Sequence, residues 1–200
     1  MKISAVLLNK NSGIYKNKNN FNRLTLISFF VIVLSFVSGS LICIFSDQSY
    51  EELNNSFYEF LNFTAEKSKT EVYSGLLLIN LICFILIFFF STSIIGTPFI
   101  YIVTSFRYIG LGLLVTYIYA SFGLKGIEYC LLIMLPGKFF MVFADIMLVD
   151  LSVYLSKNLK KIKISDKRYL LILLCSCILL LISSAVDTAF ISLFGKLFEF

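Results

Sequence analysis

Apolar runs of membrane length alternate with polar flanks along the chain, and that pattern predicts five membrane-spanning helices. A helix needs about 20 mostly apolar residues to cross ~30 Å of hydrocarbon. Residues 24–45 and 75–95 meet this requirement without a single charge, and 98–120 meets it with Arg107 alone. The fourth run, 127–155, holds Glu128, Lys138, Asp145 and Asp150 and is interrupted by Pro136-Gly137. The fifth, 169–194, carries Asp187 as its one charge. What remains is an arm at 1–23, a segment at 46–74, a loop at 156–168 and a tail at 195–200. The expected fold is all-α: a single membrane domain, a polytopic bundle of five transmembrane helices. The first run is too long for a signal-peptide core and no small-x-small site follows it, so it reads as a retained signal anchor.

The segment 46–74 has a different period. Leu53, Phe57, Phe60, Leu61 and Thr64 follow helical spacing, while Glu52, Glu59 and Glu66 recur every seven residues. Ser49 and Glu52 fit a capping box ahead of this stretch. An amphipathic helix of about four turns follows. It could lie on the bilayer or against the spans. The alternative is a docking surface for an extracytoplasmic partner, with Leu53, Phe57 and Phe60 beside Glu52, Glu59 and Glu66. A glycosidase-type carboxylate pair is not implied, because regularly spaced acids on a polar face are solvated and no pocket raises either pKa.

Charge in the flanks sets the expected orientation. Lys2, Lys10, Lys16, Lys18 and Arg23 precede the first span without an acid. Between spans four and five, six basic residues stand against Asp166. Segment 46–74 is the reverse, with Asp47, Glu51, Glu52, Glu59, Glu66 and Glu71 against Lys67 and Lys69. The N-terminus and the 156–168 loop are therefore expected in the cytoplasm, and the acidic segment and the C-terminus outside.

Composition agrees and narrows the chemistry. The 200-residue chain is 58% hydrophobic and 14% charged, against roughly 45–50% and about 25% in soluble domains. Its net charge of +5 comes from flanks expected beside anionic lipid, so the lipid bilayer and not nucleic acid is the expected partner. With no His, Ser-His-Asp and Cys-His catalysis and His-ligated metal are excluded. Cys43, Cys83, Cys130, Cys175 and Cys177 all fall in apolar runs, none in a CxxC pair, and read as small hydrophobes. There is no Walker A motif, HExxH or dinucleotide fingerprint. A non-enzymatic protein with no cofactor is the expectation.

The costly chemistry is charge within the spans. Arg107 lies roughly 13 Å along its helix, near the bilayer centre, and Lys138 is at a similar depth. An unpaired charge there costs at least about 2.5–3.5 kcal/mol. Arg107, Lys138, Asp145 and Asp187 are therefore expected to face the bundle interior, Arg107 pairing with Asp145 and Lys138 with Asp187. Either they are structural pairs or they line an ion or substrate path. Gly96-Thr97-Pro98 is a tight turn or a re-entrant bend, and Pro136 should kink the fourth helix near mid-membrane. Gly110 and Gly112, Ser35 with Gly39, and Thr92 with Gly96 would let helices approach closely.

The run STSIIGTPFIYIVTSFRYIGLGLL, followed by GLKGIEYCLLIMLP, resembles the stage II sporulation protein M family. The matching features are Gly96 and Pro98 after span two, Arg107 with Gly110 and Gly112, Gly123 and Gly126 in the outer turn, and Leu135-Pro136 in span four. Members often carry a polar amide pair after Leu-Pro, where this chain has Gly137-Lys138. The resemblance implies a bacterial cytoplasmic-membrane scaffold without catalytic activity. In endospore formers the family member recruits two peptidoglycan hydrolases, stage II sporulation proteins D and P, during engulfment. Other members accompany ABC-type export and immunity systems, including those for bacteriocins. There the partner would be an ABC ATPase reached through the 156–168 loop. A second copy of the chain is a further candidate partner.

Overall fold

The structure, a computed structural model, describes the backbone of residues 18–45, 47–93, 95–158 and 167–195, and the side chains of 23–45, 53–61, 63–64, 67–93, 95–156 and 170–195. In hydrocarbon each backbone N–H and C=O must find its partner within the segment, so long apolar runs become helices. They are α1 (Lys18–Phe45), α2 (Asp47–Glu66), α3 (Lys69–Ser91), α4 (Gly96–Phe122), α5 (Leu124–Tyr129), α6 (Leu135–Asn158) and α7 (Lys167–Phe194). A π turn, Cys130–Met134, joins α5 to α6. Five stretches are long and apolar enough to cross a membrane: Arg23–Phe45, Lys69–Ser91, Gly96–Phe122, Leu124–Ser156 and Leu170–Phe194.

Local chemistry explains where the elements break. The second span starts earlier than its apolar run, at Lys69, because Ser68 and Glu71 form a reciprocal capping box (3.4 and 3.1 Å). The box expected at Ser49 is displaced. Helix α2 already begins at Asp47, which puts Ser49 inside it, and the side chains of Ser49 and Glu52 lie outside the described residues. Between α3 and α4 the chain reverses in a tight turn, with Gly96 N–H donating to Ser93 O at 3.1 Å. A Cβ on Gly96 would lie 1.7 Å from Phe90 O, so only glycine fits there. Ser156 pins this turn by donating to Ser93 O at 2.6 Å. Gly123 has φ +58, the left-handed backbone that lets α4 turn directly into α5.

The expected break at Pro136 takes the form of the π turn just before it. Proline lacks an N–H, and its ring clashes with the carbonyl four residues back. Widening the preceding turn relieves that clash, and Leu135 N–H donates to Cys130 O, five residues earlier.

Helix α1 packs most extensively on α4, and α6 on α7. The first pair crosses backbone to backbone: a Cβ on Gly39 would lie 2.1 Å from Ile109 O, and one on Gly112 2.1 Å from Phe36 O. Gly110 is not part of this crossing, contrary to expectation. It is exposed, with nothing within 4 Å of its would-be Cβ, because residues two apart on a helix point to different faces. Pro98 is likewise exposed in the first turn of α4, where a missing N–H is harmless.

Apolar clusters fill the bundle among the described residues, a small one being Leu151 and Leu155 against Ile172 and Leu173. Ile87, Ile100, Leu148, Val149 and Val153 lie at the Gly96 end, and Ile32, Tyr108, Met141, Ala144 and Leu180 in the middle. At the α2 end come Cys43, Phe57, Tyr117, Ile118, Tyr129 and Ile133. Outward, Leu26, Phe30, Ile79, Phe89, Phe106 and Leu170 are exposed on several helices. So wide an apolar exterior is the surface of a multi-pass membrane protein.

Candidate functional site

Several polar groups of the spans meet inside the bundle, whereas Lys69, Glu71, Lys125 and Glu128 near span ends are exposed. Arg107 on α4 donates from Nη1 to Asp145 Oδ1 on α6 at 2.9 Å and from Nη2 to Asn80 Oδ1 on α3. Tyr108 OH donates to the other Asp145 oxygen at 2.8 Å, and Asn80 Nδ2 to Ser184 Oγ on α7 at 2.8 Å. One hydrogen-bonded chain thus ties four helices together. The planar guanidinium makes this possible, since its fork reaches two acceptors on two helices at once. Arg107 and Asp145 side chains are 9% and 1% accessible. No buried side-chain N or O among the described residues lacks a partner. A sealed, satisfied network of this kind fixes helix register. Asn80 and Tyr108 were not anticipated, although a lone amide in an otherwise apolar run is itself a sign of an interhelical bond.

The second pair is built differently. Lys138 Nζ on α6 donates to Asp187 Oδ2 on α7 at 2.9 Å, and the side chains are 25% and 5% accessible. Gly137 makes room for it: a Cβ there would lie 1.8 Å from Asp187 Oδ1. Ser183 Oγ donates to Gly137 O at 2.9 Å, so α6 and α7 touch along small and polar groups. Above this pair, towards α2, lies a chamber of about 300 Å³ with walls that include Phe57, Phe60, Leu114, Ile118 and Ile133. Pro136 is half-buried beside it in sequence, next to Gly137.

A third polar site joins α1 to α6. Buried Asp150 accepts from Thr25 Oγ1 at 2.6 Å and Ser28 Oγ at 2.7 Å. Two hydroxyls one turn apart on α1 carry this contact.

Helix α2 corrects the expected partner surface. Phe57 is 2% exposed, wedged against Tyr117, Phe122 and Tyr129 at ring separations of 5.8, 5.7 and 6.0 Å. Leu53 and Leu61 pack on the same cluster and Phe60 is half-buried, while Tyr117 OH donates to Asn54 Oδ1 at 2.6 Å. The apolar face of α2 therefore packs on the chain's own spans, with Phe57 covered and Leu53 and Phe60 half-buried. The physical reason is that α4 and α5 end in aromatic residues that themselves need cover. The opposite face keeps Asn55, Tyr58 and Glu59 exposed, whereas the side chains of Glu52 and Glu66 lie outside the described residues.

The family model for stage II sporulation protein M matches residues 24–193, nearly the whole described bundle. The chain belongs to the stage II sporulation protein M family. Membership points to a membrane protein of sporulation, and five spans with an apolar exterior agree with a multi-pass member of it. No curated protein and no solved structure matches the chain. Within the family region lie all three polar sites, the Gly39–Gly112 crossing and α2.

Proposed function

We propose that the chain is a non-catalytic scaffold of the bacterial cytoplasmic membrane, recruiting membrane-anchored peptidoglycan hydrolases of the stage II sporulation D and P type. The basic flanks support placing the α2 end outside and the Gly96 end in the cytoplasm. The observation that carries the reading is the mounting of α2. Phe57 and the Tyr117–Asn54 bond seat the helix on the spans, so the face bearing Asn55, Tyr58 and Glu59 is turned outward. A pre-ordered surface binds with less ordering cost than a flexible one. The sealing of the Arg107 network favours placement over a transport path for an ABC-type system. Affinity capture with the full chain from solubilised sporulating cells tests the idea. Wild type should retain the hydrolases, and Tyr58→Ala with Glu59→Lys should lose them at unchanged melting temperature. Failure of wild type to retain them would sink the scaffold reading. Retention by the double variant would sink this face.

A further inference from the structure

The two ion pairs of the interior differ in a way that points to a ligand. Arg107 and Asp145 have their fork and both oxygens engaged, whereas Lys138 donates only to Asp187 among the described residues. An ammonium has three donors, so two remain uncommitted. The Lys138 side chain is a quarter accessible, and the pair forms the base of the chamber beneath α2. Asp187 lies about 10 Å along α7 from its Phe194 end, well below the headgroups. The chamber, of about 300 Å³, is at the small end of ligand pockets, and its walls are almost wholly apolar. Met134 and Lys138 also line a wider groove of about 520 Å³ between α1, α4 and the π turn. Tyr119, Leu131 and Leu135 on that groove are exposed on the outer surface, so it opens to the acyl chains of the bilayer. Met134 and Lys138 thus border both the groove and the chamber.

We propose that this chamber binds a neutral single-chain amphiphile with a hydroxyl or amide head, of which a monoacylglycerol is the simplest. Its head accepts from Lys138 and donates to Asp187, and its chain lies among Phe57, Phe60, Leu114 and Ile133. The charge argument selects the neutral head. The pair is net neutral, and a hydroxyl or amide satisfies both partners without adding charge in a low-dielectric site. A fatty-acid carboxylate would confront Asp187, and an alkylamine would confront Lys138. Entry is lateral, past Met134. The site is independent of the scaffold reading and does not use the exposed face of α2.

The test uses the full chain in phosphatidylcholine nanodiscs with a monoacylglycerol carrying a diazirine in its acyl chain. Cross-links should concentrate on Phe57, Phe60 and 133–138. Unlabelled monoacylglycerol should displace the probe at least tenfold better than the fatty acid or alkylamine of equal chain length. Lys138→Met with Asp187→Met, which preserves neutrality, should cut labelling about tenfold. Leu114→Phe, which fills the chamber and leaves the pair intact, should do the same, and it keeps the test decisive if the paired variant does not fold. Labelling no higher in the chamber than on the lipid-facing side of α1 would overturn the proposal. So would labelling that Leu114→Phe leaves unchanged, or equal displacement by a charged amphiphile.

Discussion

Removing charge from the Arg107–Asp145 pair one side at a time, and then from both, isolates what the pair contributes. In Arg107→Leu the Asp145 carboxylate keeps only the Tyr108 hydroxyl at 2.8 Å. In Asp145→Leu the guanidinium keeps only Asn80. Each single change strands a buried charge, which costs about 3–5 kcal/mol. The double variant strands no charge. It leaves the Tyr108 hydroxyl and the Asn80 carbonyl short of a partner, at about 1–3 kcal/mol each. Its total should therefore be about 2–6 kcal/mol, where simple addition of the single changes gives about 6–10. The expected coupling is on the order of 4 kcal/mol, roughly a thousandfold in the folding equilibrium. Reversible unfolding in mixed micelles measures it, with accumulation in the membrane as a second readout. Additivity within about 0.5 kcal/mol would refute the reasoning, since the two groups would then act independently.

Phe57→Ala should destabilise the chain by about 3–5 kcal/mol in a thermal melt, because it empties the centre of an aromatic cluster. Tyr58→Ala, on the exposed face, should shift stability by no more than about 0.5 kcal/mol. Gly112→Ala should abolish membrane accumulation, since its Cβ would meet Phe36 O at 2.1 Å, whereas Gly110→Ala should be neutral or stabilising by about 0.5–1 kcal/mol. Equal loss from the two glycine variants would contradict the crossing. Gly137→Ala should behave like loss of the Lys138–Asp187 pair, at about 3–5 kcal/mol, because its Cβ occupies the place of the Asp187 carboxylate. A melting temperature equal to wild type would show that Asp187 has another resting place.

The spans were legible because their signal is local: about 20 apolar residues can do little else in a chain this hydrophobic. The interior charges were legible as interior for the same reason, since cost in lipid depends on residue type and depth and needs no knowledge of neighbours. Sign and depth also leave few partners for Arg107 and Lys138. Their neutral companions were harder to see. Asn80, Tyr108, Thr25 and Ser28 become partners only through the rotation of each helix about its axis. The same limit explains the glycines. Gly110 and Gly112 are alike in a motif, yet only Gly112 meets α1.

The role of α2 shows the limit most clearly. Its amphipathic period is evident from Leu53, Phe57 and Phe60, but a period says only that one face will be covered. Bilayer, partner and the chain's own spans satisfy it equally. Tertiary structure decided for the spans, because α4 and α5 end in Tyr117, Phe122 and Tyr129 where α2 passes over them. By itself the sequence determined the number of spans, the arrangement of polar flanks and the need for internal charge pairing. Only packing decided which glycine forms a crossing, which ion pair is sealed and which borders a chamber, and which face of α2 is left outward. Transfer into lipid is a property of each residue, whereas close approach is a property of two helices at once.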